Sequence, residues 1–412
     1  MGADYRFSNG RSLVAGLSCM MNMISEDVEN HHEKVAYLAY RLAWEMGLPD
    51  ESRRQALFGG LFHDIGIIMM EGKPDLHNAE SHPAYMASAG AALLSYLPEN
   101  TSLSEVVKNS QSALGHLKRL RSPQLIGQVV HLADVITLLL DNETPALNQI
   151  EKVRKCILDA PSEHFHRKTL DAFEALCGNE AVWLDLMYDP QAFLRFIPDD
   201  YHVTLEQVLK LSRFASIIID YRSPFTAMHS AGVAATAREL ARVIGLSGDE
   251  CMKMEIAGNL HDIGKLRVPN SILEKPGKLT DEEFNIVKEH AYYTFNILRR
   301  IDGFEEIAEW AGFHHEKLNG RGYPYHLCDS NISFGARIMA VADVFSAITE
   351  DRPYRKGMDR EKVITIMREN AERGELSKTV VDVLLSNFDE IDSARDKASK
   401  LAGKRYYQSL EA

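Results

Sequence analysis

The chain has 412 residues, of which 45% are hydrophobic, and its acidic side chains outnumber its basic ones to give a formal net charge of −13. Two domains of roughly 200 residues fit this length better than one, and the acidic balance argues against long nucleic-acid partners, which need a broad basic face. The five cysteines are scattered without a Cys-x-x-Cys pair, which indicates reduced thiols in a cytoplasmic protein rather than a disulfide framework or a zinc ribbon.

The sequence gives no sign of association with a membrane. It has no run of 18 apolar residues, and the N-terminal segment "MGADYRFSNGRS" lacks the basic-then-apolar pattern of a signal peptide. The opening Met-Gly also lacks the Ser or Thr of an acylation signal, so we expect neither a lipid anchor nor a membrane partner.

Two segments share the sequence His-Asp-Ile-Gly: "GLFHDIGIIMM" at residues 60–70 and "NLHDIGKLRVP" at residues 259–269. Aligning the two at an offset of 198 (261 − 63) places an apolar stripe of helical 4-3-4 spacing upstream of each. The stripes are Val35, Ala39, Leu42 and Met46 in the first copy and Val233, Ala237, Leu240 and Ile244 in the second. Downstream, "VVHLADVITLLL" matches "RIMAVADVFSAI" at an offset of 209 (343 − 134), so we predict two copies of one helical unit.

The fold is expected to be all-α, with two tandem helical domains. Few segments alternate with period two, and prolines separate the helical patterns. Prolines and acidic residues interrupt the pattern at 188–203, so the predicted domains are 1–195 and 200–400, and a new helix is expected to begin at Thr204. For the polar tail "SARDKASKLAGKRYYQSLEA", both a final helix and a frayed end are left open.

The second copy concentrates side chains that bind metals. The set is His229, His261, Asp262, His290, His314, His315 and Asp343. Such a mixture of imidazoles and carboxylates suits Mn, Fe or Zn, and the absence of thiolates argues against a structural zinc site. Each residue alone would more often be a packed histidine or a surface acid. The repeated His-Asp pair and the added His-His pair together favour a metal site.

The motifs "HDIGKLRVPNSILEKPGKL", "HHEKLNGRGYP" and "ADVFSAITEDRPYRKGM", within residues 205–375, resemble those of the HD-GYP phosphodiesterases, a branch of the HD metal-dependent phosphohydrolases. The resemblance implies an all-helical domain with two or three metals, usually iron or manganese, that hydrolyses cyclic dinucleotides such as cyclic di-GMP. It implies that the seven residues above are metal ligands, with Asp262 bridging. The substrate contacts that it implies are Lys265, Arg321, Gly322, Tyr323, Arg352 and Arg355.

Two positions depart from the family pattern. Trinuclear members carry a Glu four residues before the first ligand His, where this chain has Phe225, so we expect two divalent ions, iron or manganese. Thr294 stands where a Gly is common after the third ligand His, and we expect it to alter packing without touching a ligand. The expected catalytic groups are Asp262, which sets the metal-bound water, and Lys265, which stabilises charge on the phosphate or protonates the leaving group.

The first copy keeps only part of this set. It has His31, His63, Asp64 and Asp134, and His82 is a candidate for the position of His290. His82 and Asp134 are 52 residues apart, against 53 for His290 and Asp343, so the His-His pair would fall near Val106-Val107. Ile67 replaces Lys265, and no Gly-Tyr-Pro loop is present. We therefore expect this domain to regulate or to dimerise, with a single residual metal and a homodimer both left open.

The leading hypothesis is a bacterial signalling enzyme that hydrolyses cyclic di-GMP or 3′,3′-cyclic GMP-AMP to the linear 5′-phosphorylated dinucleotide. The two-domain layout slightly favours cyclic GMP-AMP, because some family members with two HD domains prefer it. One alternative is a non-catalytic adaptor that binds the ligand, against which the complete ligand set and Lys265 argue. The other is an HD-type nucleotidase, against which the His-His pair and the Gly-Tyr-Pro loop argue.

Overall fold

The structure, a computed structural model, describes residues 6–24, 30–69, 83–97, 101–112, 119–161, 164–221, 228–350 and 356–410. Four residues singled out from the sequence lie outside these ranges: His82, Phe225, Arg352 and Arg355. Helices account for most of the described chain, and its two strands form one small sheet, so the predicted all-α fold is confirmed. Within these ranges, no helix combines the length and the apolar character needed to cross a membrane.

The elements of the first half of the chain are β1 (Arg6–Asn9), α1 (Gly10–Ile24), α2 (His31–Glu45), α3 (Asp50–Phe62), α4 (Pro83–Leu94), α5 (Thr101–Asn109), α6 (Ser122–Leu138), α7 (Ala146–Leu158), α8 (Arg167–Cys177) and α9 (Glu180–Tyr188). Those of the second half are β2 (His202–Thr204), α10 (Leu205–Tyr221), α11 (His229–Ile244), α12 (Gly248–Leu260), α13 (Asn270–Leu273), α14 (Asp281–Leu298), α15 (Glu305–Gly312), α16 (Phe334–Thr349), α17 (Arg360–Glu372), α18 (Lys378–Ser386) and α19 (Phe388–Leu410). Short 3₁₀ helices lie at Ile65–Met69, Ala192–Phe196, Ile263–Arg267 and Asp329–Asn331.

The chain divides into two compact units. The N-terminal unit comprises residues 17–199, and the C-terminal unit comprises residues 200–412 together with those before residue 17. The antiparallel pairing of β1 with β2 ties the start of the chain to the C-terminal unit, and the Gly10 amide donates to the Tyr201 carbonyl at 2.8 Å. The residues of β1 were predicted to belong to the 1–195 domain, but they group with the C-terminal unit. The sequence did not indicate this, because a strand of four residues is too short to show a periodic pattern.

The predicted duplication is confirmed helix by helix. The bounds of α3 and α12 differ by 198 at both ends (248 − 50 and 260 − 62), and so do the starts of the 3₁₀ helices that follow (263 − 65). In each unit the preceding helix, α2 or α11, buries the first three residues of its predicted stripe, whereas the last ones, Met46 and Ile244, are partly exposed. A Cβ added to Gly60 would lie 2.8 Å from the Cα of Ala36, so the paired helices can approach this closely only with glycine there.

The ends of the C-terminal unit also follow from the sequence. After β2, α10 begins at Leu205, one residue beyond the predicted start. The polar tail forms α19, which packs along α11, and the Ser399 hydroxyl donates to the Met228 carbonyl at 3.2 Å. This contact fixes the beginning of α11, where the first candidate ligand lies.

Candidate metal centre

The structure brings all seven predicted ligands of the second copy together. They lie at the start of α11, the end of α12, the middle of α14, just after α15 and the middle of α16, as His229, His261, Asp262, His290, His314, His315 and Asp343. All are buried except His315, which is partly exposed. Helices that are far apart in sequence therefore converge on one polar centre inside an apolar core.

The main chain fixes the direction of three of the histidines. The Nδ1 atoms of His261, His290 and His314 lie 2.8, 2.5 and 2.6 Å from the carbonyl oxygen three residues earlier in each case. Because a carbonyl only accepts hydrogen bonds, each Nδ1 carries the hydrogen and the Nε2 lone pair is left for a metal. This arrangement follows from the position of each histidine in or directly after a helical turn.

Asp262 lies between two groups of candidate ligands. His229, His261 and Asp343 form one group and His290, His314 and His315 the other, with the donor atoms of each group within 4.8 Å of one another. The Oδ2 atom of Asp262 is 3.2 Å from His261 Nε2, and its Oδ1 atom is 3.4 Å from His290 Nε2. That Oδ1 is buried and has no hydrogen-bond partner among the described residues, as expected of an atom that binds a cation.

The spacing of the donor atoms fits metal ions. Two donors bonded at about 2.1 Å to one ion at a right angle lie about 3 Å apart. His229 Nε2 is 3.1 Å from Asp343 Oδ1, and His290 Nε2 is 3.4 Å from His314 Nε2. The residues present are therefore able to bind metal ions with little rearrangement.

The electrostatics of the centre also suit ligation. Burial lowers the pKa of His290 to about 3 and lowers that of His314 well below its ordinary value, so both imidazoles are neutral at pH 7. Burial alone would raise the pKa of Asp262, but His261 and Lys265 outweigh it and hold that pKa well below its usual range. Neutral imidazoles beside ionised carboxylates are the protonation states that a metal requires of its ligands.

His229 differs from the other histidines. Its Nδ1 lies 3.2 Å from the Glu350 carboxylate rather than near a main-chain carbonyl. Burial would lower the pKa of His229, but the hydrogen bonds to Asp343 and Glu350 raise it to about 10, so a metal would displace a proton here. Sequence reasoning missed Glu350 although it lies in the segment "ADVFSAITEDRPYRKGM" with Asp343, because nothing in the sequence indicates its contact with His229.

Lys265 and Tyr323 are the predicted substrate contacts that lie beside the ligands. The Lys265 ammonium group is 2.5 Å from Asp262 Oδ2, and its side chain is 19% exposed, so it faces both the centre and the solvent. The ring centroid of Tyr323 is 4.7 Å from that of His315. Arg321 is exposed in the same loop as Tyr323, and no contact among the described residues joins its side chain to the candidate ligands.

The Gly-Tyr-Pro loop is held by main-chain contacts. A Cβ added to Gly322 would lie 2.4 Å from the Cα of Glu316, so only glycine permits this close approach. The buried Glu316 carboxylate accepts hydrogen bonds from the amides of Tyr325 at 2.7 Å and Leu327 at 2.9 Å. Sequence reasoning missed Glu316, although it directly follows the His-His pair.

Thr294 corrects one expectation. Its hydroxyl donates to the carbonyl of the ligand His261 at 3.0 Å and accepts from the Gly264 amide at 3.1 Å. It therefore contacts the main chain of a ligand and ties α14 to the turn that carries the His-Asp pair. Glycine at this position would lack the hydroxyl, so the departure from the family pattern adds a contact.

The first copy keeps the group that surrounds its His-Asp pair. His31 Nε2 lies 3.2 Å from Asp134 Oδ1, and His63 Nε2 lies 2.8 Å from Asp64 Oδ2. His63 Nδ1 is 2.8 Å from the Gly60 carbonyl, which repeats the contact of His261 in the second copy. The N-terminal unit thus retains one of the two donor groups.

Comparisons with known proteins agree with this duplication. The family described as HD domain matches residues 213–380, and a second family of the same description matches residues 28–139. The chain is a two-HD-domain protein. It is homologous to the 3′3′-cGAMP-specific phosphodiesterases of Vibrio cholerae and to bacterial cyclic di-GMP phosphodiesterases.

Three similar proteins illustrate this relationship. The 3′3′-cGAMP-specific phosphodiesterase 1 of Vibrio cholerae is 28% identical over 89% of this chain and 89% of that protein. The 3′3′-cGAMP-specific phosphodiesterase 3 of Vibrio cholerae is 36% identical over 54% of this chain and 49% of that protein. A crystal structure of the cyclic GMP-AMP-specific phosphodiesterase V-cGAP3 of Vibrio cholerae shares the fold, with a TM-score of 0.62 and 23% identity over 92% of this chain and 97% of that one.

Among its described residues, the N-terminal HD domain has other side chains at the positions of the second donor group. A Cβ on Gly66 would lie 2.1 Å from the Met86 carbonyl, just as one on Gly264 would lie 2.0 Å from the His290 carbonyl. Met86 therefore occupies the position of His290, for which the sequence had suggested His82. A buried thioether is a poor substitute for imidazole at a site for hard or borderline ions.

Ser110 and Gln111 take the positions of the His-His pair. The Ser110 hydroxyl bonds to the carbonyl three residues earlier at 2.8 Å, as His314 does, and Gln111 Nε2 lies 3.4 Å from Asp134 Oδ2. The predicted location at Val106-Val107 is wrong, because both valines are fully buried within α5. The error arose because His82 was taken as the counterpart of His290: Met86 to Ser110 spans 24 residues (110 − 86), as His290 to His314 does (314 − 290).

Proposed function

We propose that the C-terminal HD domain hydrolyses a cyclic dinucleotide, cyclic di-GMP or 3′,3′-cyclic GMP-AMP, to the linear 5′-phosphorylated dinucleotide. One observation carries the proposal: the two carboxylate oxygens of Asp262 face two separate histidine groups, with the Lys265 ammonium beside them. A carboxylate shared by two metal ions, with an ammonium group beside it to stabilise charge on the phosphate, suits the cleavage of a phosphodiester. The names of the homologous proteins support the same reaction.

The proposed cofactors are two divalent ions, iron or manganese. His229, His261 and Asp343 would hold one ion and His290, His314 and His315 the other, with Asp262 as the shared ligand. When bound, such a pair polarises the phosphodiester and acidifies a water molecule to hydroxide. The mixed imidazole and carboxylate donors favour iron or manganese over ions that prefer all-oxygen sites.

Residues of the chain would orient the substrate and move the proton. Lys265, close to Asp262 and open to the solvent, would donate a hydrogen bond to a phosphate oxygen or a proton to the departing 3′ oxygen. Tyr323, whose ring lies beside His315, would present a face to a nucleobase. Partial burial raises the pKa of Tyr323, so its hydroxyl stays protonated and can donate at neutral pH.

A compact substrate fits the charge of the protein. The net charge of −13 repels a long polyanion, whereas a dinucleotide needs only the few cationic groups of one centre. The Vibrio cholerae relative that spans most of this chain is named for 3′3′-cGAMP, which favours cyclic GMP-AMP over cyclic di-GMP. Contacts of Arg352 and Arg355 with the second phosphate, a cytoplasmic location and a homodimer stay predictions.

The N-terminal HD domain is proposed to regulate or to dimerise. It keeps His31, His63, Asp64 and Asp134, yet Met86, Ser110 and Gln111 stand where the second donor group would be. Ile67 is fully buried where Lys265 lies in the other copy, so this position carries no cation to stabilise a reacting phosphate. We therefore assign turnover to the C-terminal HD domain.

Chromatography of the reaction products tests this function. The purified full chain, loaded with Fe(II) or Mn(II), would be incubated separately with cyclic di-GMP, 3′,3′-cyclic GMP-AMP and a deoxynucleoside triphosphate. We expect the linear dinucleotide, with a 5′-phosphate that alkaline phosphatase removes, and faster conversion of cyclic GMP-AMP. Intact cyclic dinucleotides together with cleavage of the triphosphate would indicate a nucleotidase, and tight binding without cleavage would indicate an adaptor.

A further inference from the structure

We infer that Glu350 is a positioning residue that holds His229 in its metal-binding orientation and strengthens metal binding by the C-terminal HD domain. Glu350 directly follows α16 and is 4% exposed. Its Oε2 lies 3.2 Å from His229 Nδ1, while the Nε2 atom on the other side of the ring lies 3.1 Å from Asp343 Oδ1. The inference rests on the proposed metal-dependent function.

The contact selects one form of the imidazole. A carboxylate only accepts hydrogen bonds, so Glu350 keeps the hydrogen of His229 on Nδ1 and leaves the Nε2 lone pair facing the donor group of Asp343. A carboxylate behind a ligand histidine also makes the metal-facing nitrogen a better donor. Glu350 thus supplies both the direction and the basicity of this ligand.

His229 needs such a side-chain partner because of its place in the fold. His261, His290 and His314 each use the carbonyl of a preceding helical turn. His229 is the first residue of α11, so its own helix supplies no preceding turn. Glu350 fills that role from the end of α16, the helix that also carries Asp343.

The N-terminal HD domain lacks this arrangement. The Nδ1 of His31 lies 3.3 Å from the Thr137 hydroxyl, which is neutral. At the 209-residue offset the counterpart of Glu350 is Asp141, whose carboxylate instead accepts from the amides of Glu143 and Thr144 within a turn. The carboxylate behind the first ligand is therefore a feature of the C-terminal copy, in which the proposed chemistry takes place.

The charge of the centre supports the same role. Asp262, Asp343 and Glu350 are three buried carboxylates around this cluster; Lys265 pairs with Asp262, and His229 lies between Asp343 and Glu350. Buried carboxylates are costly unless cations compensate them. Divalent ions held by the ligands would offset the excess negative charge of these carboxylates. Glu350, which is not itself a ligand, would strengthen the electrostatic attraction of the centre for those ions.

Two substitutions separate the contributions of Glu350. Glu350→Gln keeps an oxygen that can accept from Nδ1 but removes the charge, and Glu350→Ala removes the partner. The readout is equilibrium Mn(II) binding by the full chain in competition with a chelator, alongside thermal unfolding of the metal-free protein. We expect Mn(II) binding about 10- to 100-fold weaker in Glu350→Ala and an intermediate loss in Glu350→Gln.

Glu255→Gln is the matched control, because Glu255 is also a buried carboxylate but pairs with Arg213 and Arg238 instead of a ligand. It should lower the unfolding temperature and leave Mn(II) affinity unchanged. Mn(II) affinity within twofold of wild type in both Glu350 variants would overturn the inference, as would losses no larger than that of Glu255→Gln. Because the readout is metal binding, these results are independent of which nucleotide the enzyme cleaves.

Discussion

The two His-Asp pairs differ in the groups that meet the carboxylate. Asp262 contacts Lys265 at 2.5 Å and lies between two histidine groups. Asp64 is 2.8 Å from His63, and the lysine position in its domain is the buried Ile67. The His-Asp pair of the C-terminal HD domain therefore lies between two candidate donor groups. The described residues around the pair of the N-terminal HD domain form one such group.

The paired substitutions Asp262→Asn and Asp64→Asn should separate these roles. Asp262→Asn removes the charge of the shared ligand, and a loss of several kcal/mol in the transition state corresponds to roughly a thousandfold lower kcat. Asp64→Asn should change kcat by less than about threefold. Steady-state assays with circular dichroism as a check on folding decide this, and comparable inactivation of two folded variants would contradict the division of labour.

Lys265 should act on the substrate and not on the metals. Lys265→Met keeps most of the side-chain volume and removes the ammonium, so we expect kcat to fall on the order of a hundredfold while the metal content stays unchanged. Arg267→Met is the control, because Arg267 lies exposed on the same short helix with its guanidinium over the Tyr293 ring. Equal kcat values for the two variants would argue against a chemical role for Lys265.

The Gly-Tyr-Pro loop acts as one element whose position depends on close main-chain contacts. In Gly322→Ala the new Cβ would lie 2.4 Å from main-chain atoms of Glu316 and Lys317, so the loop and Tyr323 would have to move. We expect KM to rise about tenfold or more while the metals stay bound, since the added Cβ meets main-chain atoms, among them the His315 carbonyl oxygen at 2.6 Å, and no side-chain donor atom. Gly248→Ala, where a Cβ meets nothing within 4 Å, should behave as wild type.

The recurring His-Asp pair and the family resemblance pointed to seven candidate ligands, and the structure brings them together because each lies on or beside a regular helix. His229, His261 and Asp343 stand at fixed places relative to buried apolar stripes, which the sequence displays directly. Glu350 could not be found in this way, because its contact with His229 joins residues 121 apart through an irregular helix end. The His-His position of the first copy was misplaced by four residues, because a histidine, His82, was preferred over Met86 as the counterpart of His290.

At the scale of the whole molecule, the two domains share a fold and differ in their ligands. The helices that begin at His31 and His229 align at the 198-residue offset, and each buries the first three residues of its stripe. A duplicated domain that keeps its core but changes its polar centre retains folding stability without retaining the reaction. The duplication therefore explains why the His-Asp-Ile-Gly motif occurs twice and is followed by lysine only once.

The number of ions per chain is the last prediction. The C-terminal HD domain has two donor groups joined by Asp262, and the N-terminal HD domain has one, built on His31 and Asp64. Elemental analysis of the loaded full chain should therefore give three ions per chain, and Asp64→Asn should give two with its activity retained, because an amide in place of the carboxylate weakens the smaller site. Anomalous scattering would assign the ions to domains. Three tightly held ions in the C-terminal HD domain, or no loss of metal in Asp64→Asn, would contradict this count.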